Sequence, residues 1–224
     1  MILDPVYIII AGVSFVASLA IQGYLKSTYG KWMKVQNTSG LTGAETARAI
    51  LDENGLHDVK VEAVKGQLTD HYDPRSKTVR LSEGNYGRAN VAGMAVAAHE
   101  VGHAVQHAKA YGPLQARTAI LPVANIGQQF GPLLIIFGFM LGMGGLAQIG
   151  VFLFAGAVLF QVVTLPVEFD ASRRALVQLN KMGLATSSDS GGARNVLTAA
   201  ALTYVAAAAT SIAYLLYFIG LSRD

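Results

Sequence analysis

Val6-Tyr-Ile-Ile-Ile-Ala-Gly-Val-Ser-Phe-Val-Ala-Ser-Leu-Ala-Ile-Gln-Gly-Tyr-Leu25 is a run of twenty residues without a charge. A helix rises 1.5 Å per residue, so this run covers about 30 Å, the thickness of a bilayer's hydrocarbon core. It therefore predicts a membrane-spanning helix. A cleavable leader would carry Lys or Arg ahead of a shorter apolar core. Here Asp4 precedes the run and Lys26 follows it, so the segment is expected to remain as an anchor. From Ala119 to Leu165 the chain again lacks any ionisable residue, over a length too great for one crossing and broken near its middle by Gly142, Gly144 and Gly145. Two helices joined by a tight turn fit that pattern. A last uncharged run, Val196 to Leu221, carries Tyr214 and Tyr217 near its end in the manner of an interfacial aromatic belt. The expected count is four spans.

Composition agrees. Of 224 residues 52% are apolar and 14% charged, against the quarter usual in soluble domains, and the mean hydropathy is +0.41. Disordered, collagen-like and nucleic-acid-binding classes fall away, and no nucleic acid partner is expected. The net charge of +3 suits residues facing an anionic lipid surface. There is no cysteine, so disulfides and thiolate metal sites are excluded and any metal must be held by His, Asp or Glu.

Basic residues near span ends stay preferentially in the cytoplasm. Lys26, Lys31 and Lys34 follow the first span, Arg117 precedes the second, and Arg173, Arg174, Lys181 and Arg194 fill the stretch between the third and fourth, while the turn at Gly144 has none. This predicts an outside N-terminus and two cytoplasmic segments able to share one site. The expected organisation is an anchor over 1–25, a cytoplasmic insertion over 26–118, two transmembrane helices over 119–167, a second cytoplasmic segment over 168–195 and a final transmembrane helix over 196–224.

The insertion regains ordinary patterning. Thr42-Gly-Ala-Glu45 has capping-box spacing and opens a helix that stops at Gly55. Val59–Val64 and Thr78–Ser82 alternate as strands on either side of a turn at Asp73-Pro74. A helix of about twenty residues is expected from Asn90 to Lys109.

Within that helix lies His99-Glu100-Val101-Gly102-His103. Residues four apart share a helical face, so the two imidazoles can reach one Zn²⁺ at about 2.0–2.1 Å while Glu100 leans toward the water on the metal. An unpaired buried Glu flanked by two His would be costly, and metal binding removes that cost. A catalytic zinc site needs a third protein ligand. His107 is too far: eight residues from His99 is about 12 Å along an unbroken helix. It reads as a surface or supporting residue. The longer metzincin signature is absent, with Gln106 where Gly would stand and Lys109 where the third His would stand. The better candidate is Glu168, at the cytoplasmic end of the third span. Taken alone, Glu168 and Asp170 also fit interfacial charges paired with Arg173 and Arg174. A two-His helix short of one ligand, on the same side of the membrane, makes Glu168 the leading choice.

Leu68-Thr-Asp-His-Tyr-Asp-Pro-Arg75, Val79-Arg-Leu-Ser82, Ala98-His-Glu-Val-Gly-His-Ala-Val-Gln-His107 and Glu168-Phe-Asp-Ala-Ser172 together resemble the YugP-like family of neutral zinc metallopeptidases, bacterial membrane proteins, over nearly the whole chain. More distantly the chain is similar to HtpX- and Ste24-type membrane gluzincins, in which a Glu on a later helix, in an E-x-x-x-D arrangement, completes the zinc site. The resemblance implies His99, His103 and Glu168 as zinc ligands and Glu100 as general base. Ser172 stands where the distant relatives have Asp. Whether Ser172 or Asp170 supports the ligands is left open.

The expected fold is mainly α, four transmembrane helices with a small cytoplasmic α+β, zincin-like insertion carrying the metal helix. The expected function is a zinc metalloendopeptidase of the bacterial inner membrane, multi-pass, hydrolysing peptide bonds of peptides or membrane proteins through a zinc-activated water, with the lipid bilayer as its other partner. No serine sits in a G-x-S-x-G setting to suggest a rival mechanism. Thr78–Ser82 is expected as the sheet edge along which a peptide lies. His71, Tyr72 and Tyr86 are candidate oxyanion or substrate contacts. His57 reads as a surface residue. The alternative function is a non-catalytic membrane scaffold or adaptor retaining a structural metal site. An intramembrane protease of the site-2 type would need an Asp within a later span, and spans two to four hold none.

Overall fold

A computed structural model describes residues 4–222. It is mainly helical, in the order α1 (Pro5–Trp32), α2 (Gly43–Glu53), β1 (Lys60–Val64), β2 (His71–Asp73), β3 (Thr78–Ser82), α3 (Glu83–Tyr86), α4 (Val91–Ala108), α5 (Gly112–Met140), α6 (Gly144–Lys181) and α7 (Ser187–Leu221). Among the described residues, α1, α5, α6 and α7 are the four helices long and apolar enough to cross a membrane. The chain divides into two units. One comprises 1–21, 112–166 and 202–224, and the other comprises 22–111 and 167–201.

In the first unit, α5 and α6 form the hairpin that the uncharged run predicts. Its turn is made at Gly142, whose φ of +67° lies in the left-handed region open to glycine. The two helices pack closely because small residues line their contact: a Cβ on Gly127 would strike the backbone of Leu153, and one on Gly131 would meet Phe154. Such close backbone approach is how membrane helices associate without a hydrophobic driving force between them. Pro122 and Pro132 lie inside α5 without ending it, as membrane helices tolerate.

The second unit is built around α4. Thr42 caps α2, accepting from the Glu45 amide while Glu45 accepts from the Thr42 amide. Arg48 then ties down the following loop by donating to the carbonyls of Leu56 and Val59. The sheet order is β1-β3-β2, with β1 parallel and β2 antiparallel to β3. Thr78–Ser82 is thus the central strand, not the expected edge, and Val79 and Leu81 are fully buried in the core with Ile50, Leu51, Met94 and Val101. The two edges are β1 and β2, and β2, with three residues, is too short to show alternation. Asn90 caps α4 by accepting from the Gly93 amide, at the helix start expected from sequence.

The helices run past the apolar stretches. α6 continues unbroken through Pro166 to Lys181, so much of the segment expected as a second cytoplasmic loop is a helical extension. Val167, Ala171, Ala175 and Leu179 recur every fourth residue along it and are all buried.

Candidate metal centre

Asn90 fixes the start of α4, and the helical period then puts His99 and His103 on one face, their rings 4.8 Å apart and edge to face. The third participant comes from α6. A Cβ on Gly102 would lie 2.7 Å from the Ala171 carbonyl oxygen and 3.1 Å from its Cα. Only glycine lets the two backbones come this close, and the approach carries Glu168, one turn before Ala171, to the imidazoles. Glu168 Oε2 lies 3.3 Å from His99 Nε2 and 3.6 Å from His103 Nε2. One ligand atom from each of the three residues falls within 4.8 Å of the others.

These separations can be set against the chemistry of a metal. Zinc bonds of about 2.0–2.1 Å in a tetrahedron imply ligand atoms about 3.4 Å apart. The two imidazole-to-carboxylate distances bracket that edge. Two nitrogens and one carboxylate oxygen leave a fourth position open, the donor set of a catalytic rather than a structural site. The residues present fit Zn²⁺.

The far sides of both rings are also held. Gln106 is fully buried and donates from Nε2 to the Val167 carbonyl at 2.8 Å and to Asp170 Oδ2 at 3.0 Å. Its Oε1, 3.0 Å from His103 Nδ1, must therefore accept, which puts a proton on Nδ1 and turns Nε2 toward Glu168. His99 Nδ1 is 3.1 Å from the Ser172 hydroxyl. Ser172 thus meets His99 directly, and Asp170 reaches His103 through Gln106. Gln106 is the residue that sequence reasoning missed. The available signal was an amide three residues past His103 on the same helix.

Burial disfavours the imidazolium form of His103, but the hydrogen bond with Glu168 and the charges of Glu100 and Glu168 outweigh it, so the pKa lies above the usual imidazole value. Glu100 is 8% exposed, and its side chain forms no hydrogen bond among the described residues. Of the remaining candidates, Tyr72 on β2 places its hydroxyl 2.9 Å from Nδ1 of His107, one turn beyond His103. Burial, then the charges of Asp58 and Asp73, raise the Tyr72 pKa. His71 is exposed, with its ring on the Thr69 carbonyl, and Tyr86 packs half-buried against the core. Neither is hydrogen-bonded to the two imidazoles. His57 is exposed and bonded to Asp52.

Residues 7–223 match the family described as "Putative neutral zinc metallopeptidase". The chain belongs to this family. It is also similar to a protein of Bacillus subtilis (strain 168) named "Putative membrane protease YugP", with 50% identity over 208 residues that cover 93% of this chain and 91% of that protein. No solved structure matches. The family implies zinc as the metal, and the His99, His103 and Glu168 group is where the structure offers it a place.

Proposed function

We propose that this chain is a membrane-bound zinc metalloendopeptidase of the gluzincin kind, with His99, His103 and Glu168 as ligands and Glu100 as general base. The observation that carries the proposal is the convergence of one carboxylate and two Nε2 atoms on a volume the size of one ion. When bound, Zn²⁺ would polarise a substrate carbonyl and acidify water at the open position. The rest falls to the protein. Gln106 and Ser172 hold the imidazoles in orientation, and Glu100 takes a proton from the attacking water and delivers it to the leaving amine. Its lack of other hydrogen bonds suits that exchange.

Four apolar helices and the membrane relative support an integral membrane location. The basic residues that follow the spans favour a cytoplasmic site, formed by the zincin-like insertion of 26–118 together with the 168–195 segment. An extended peptide would then add beside β2 rather than β3, because β3 is already paired on both sides. Tyr72 is the β2 residue nearest this role, since it is bonded to the helix that bears the imidazoles.

Glu100→Gln tests the chemistry. The enzyme should keep zinc and lose cleavage of an unfolded protein substrate by at least about a hundredfold. A scaffold with a structural metal would lose nothing, and unchanged cleavage would refute the base assignment.

A further inference from the structure

The three histidines of α4 are held alike. His99, His103 and His107 follow one another at four-residue spacing on a single helical face. Each has a neighbour at Nδ1: the Ser172 hydroxyl at 3.1 Å for His99, Gln106 Oε1 at 3.0 Å for His103 and the Tyr72 hydroxyl at 2.9 Å for His107. A ring fixed at Nδ1 presents its Nε2. In His99 and His103 that atom faces Glu168. In His107, which is exposed, it forms no hydrogen bond among the described residues. His107 lies one turn past His103, about 6 Å along the axis, too far from His99 for both to hold one ion.

The number of hydrogens on the pair decides what it can offer. A tyrosine hydroxyl and a neutral imidazole have one each. If the hydroxyl donates to Nδ1, the imidazole hydrogen is on Nε2 and free. If Nδ1 donates to the hydroxyl oxygen, the hydroxyl hydrogen is free. Both arrangements leave one donor for an acceptor outside the pair.

The pair stands where a sheet edge meets the imidazole face. Tyr72 lies opposite Val79 in the ladder of β2 and β3, so it shares the sheet face on which Val79 is buried with Met94 and Val101 of α4. Its ring is 5.9 Å from that of His107. A peptide added beside β2 therefore passes this donor. Extended chain advances about 3.3 Å per residue, so the separation of His103 and His107 spans about two residues.

We infer that Tyr72 and His107 act as one substrate-positioning donor, giving their spare hydrogen to a main-chain carbonyl of the bound peptide about two residues from the bond that is cut. The inference rests on the peptidase reading and assigns a role to His107, which the metal does not use. A contact this far from the reacting carbonyl serves substrate and transition state equally, so it governs affinity.

The test titrates full-length, zinc-loaded protein in detergent with acetohydroxamate and with tri-alanine hydroxamates. The metal-binding group, placed at either end of the peptide, fixes the register, and each backbone carbonyl is replaced in turn by thiocarbonyl, a weaker acceptor. Either residue alone retains a donor, so the decisive variant is Tyr72→Phe/His107→Leu. It should bind the peptide hydroxamates about fivefold more weakly, the effect of losing one hydrogen bond. Zinc content, circular dichroism and acetohydroxamate affinity should match the parent's. One thiocarbonyl position should weaken binding to the parent and leave binding to the variant unchanged. Equal peptide affinity in the two proteins, or equal thiocarbonyl effects at every position, overturns the inference. A matching loss of acetohydroxamate affinity also overturns it, since the pair would then be supporting the metal site. A zinc-loaded parent that binds none of the peptide hydroxamates overturns the peptidase reading as well.

Discussion

Replacing Gly102 by Ala adds one methyl group at the closest approach of α4 and α6. The new Cβ would lie 2.7 Å from the Ala171 oxygen and 3.2 Å from its carbonyl carbon. Ordinary carbon contacts settle at about 3.5–4.0 Å, so the helices must part by roughly 0.5–1 Å. No rotamer can relieve the clash, because both sides are backbone. Overpacking of this kind costs about 1–3 kcal/mol. The shift also acts on Glu168, one turn from Ala171, whose oxygen now sits 3.3 and 3.6 Å from the two imidazoles. Loosening the support of metal ligands lowers affinity by about 10–100-fold. Zinc per chain would be measured against a graded series of a competing chelator, with circular dichroism verifying that the helices persist. Gly191→Ala serves as the control, since its Cβ meets nothing within 4 Å. A folded Gly102→Ala protein that holds zinc as firmly as the parent would refute the idea that this contact sets the site.

Gln106→Leu keeps the volume but removes the acceptor for His103 and the donor for Asp170 and Val167, so zinc affinity should fall by about 10–100-fold and stability by about 1–3 kcal/mol. A chelator titration equal to the parent's would rule out the orienting role. Hydrogen bonds from the Ser76 hydroxyl, the Arg75 amide and Arg80 hold the Asp73 carboxyl well below the usual carboxylate range. Its folded pKa is thus depressed, and the stability it contributes is present above the unfolded value of about 3.9 and drains away as pH falls below it. The melting temperature of Asp73→Asn should accordingly lie below the parent's near neutrality and converge with it in acid. A constant difference down to pH 3 would contradict this.

The four long apolar helices were legible in the sequence because uncharged runs of this length favour continuous helix, and the turn at Gly142 falls where the glycines interrupt the longest run. The start of α4 was legible from Asn90 and its imidazole face from the four-residue spacing. Elsewhere the signal lay in tertiary structure. Nothing local distinguishes a central strand from an edge, and β3 owes its place to pairing with β1 and with a β2 too short to announce itself. α6 runs past Pro166 to Lys181, beyond the uncharged run, because its buried stripe extends from Val167 to Leu179. Glu168 could be argued from sequence by its position after an uncharged run, by a two-His helix short of one ligand and by the family resemblance, but not by any local contact. Its partnership with the imidazoles depends on the clearance at Gly102, a residue whose importance appears only when Ala171 is seen beside it. Gln106 stayed hidden because a buried amide carries no metal-binding signature until its three partners are known.

The most direct measurement is zinc stoichiometry for the parent and Glu168→Ala, each equilibrated against the same chelator and assayed by elemental mass spectrometry. One zinc per parent chain, with most of it lost from a folded Glu168→Ala protein, is the predicted result. A variant that retains its zinc as tightly as the parent would show that the carboxylate from α6 does not complete the site.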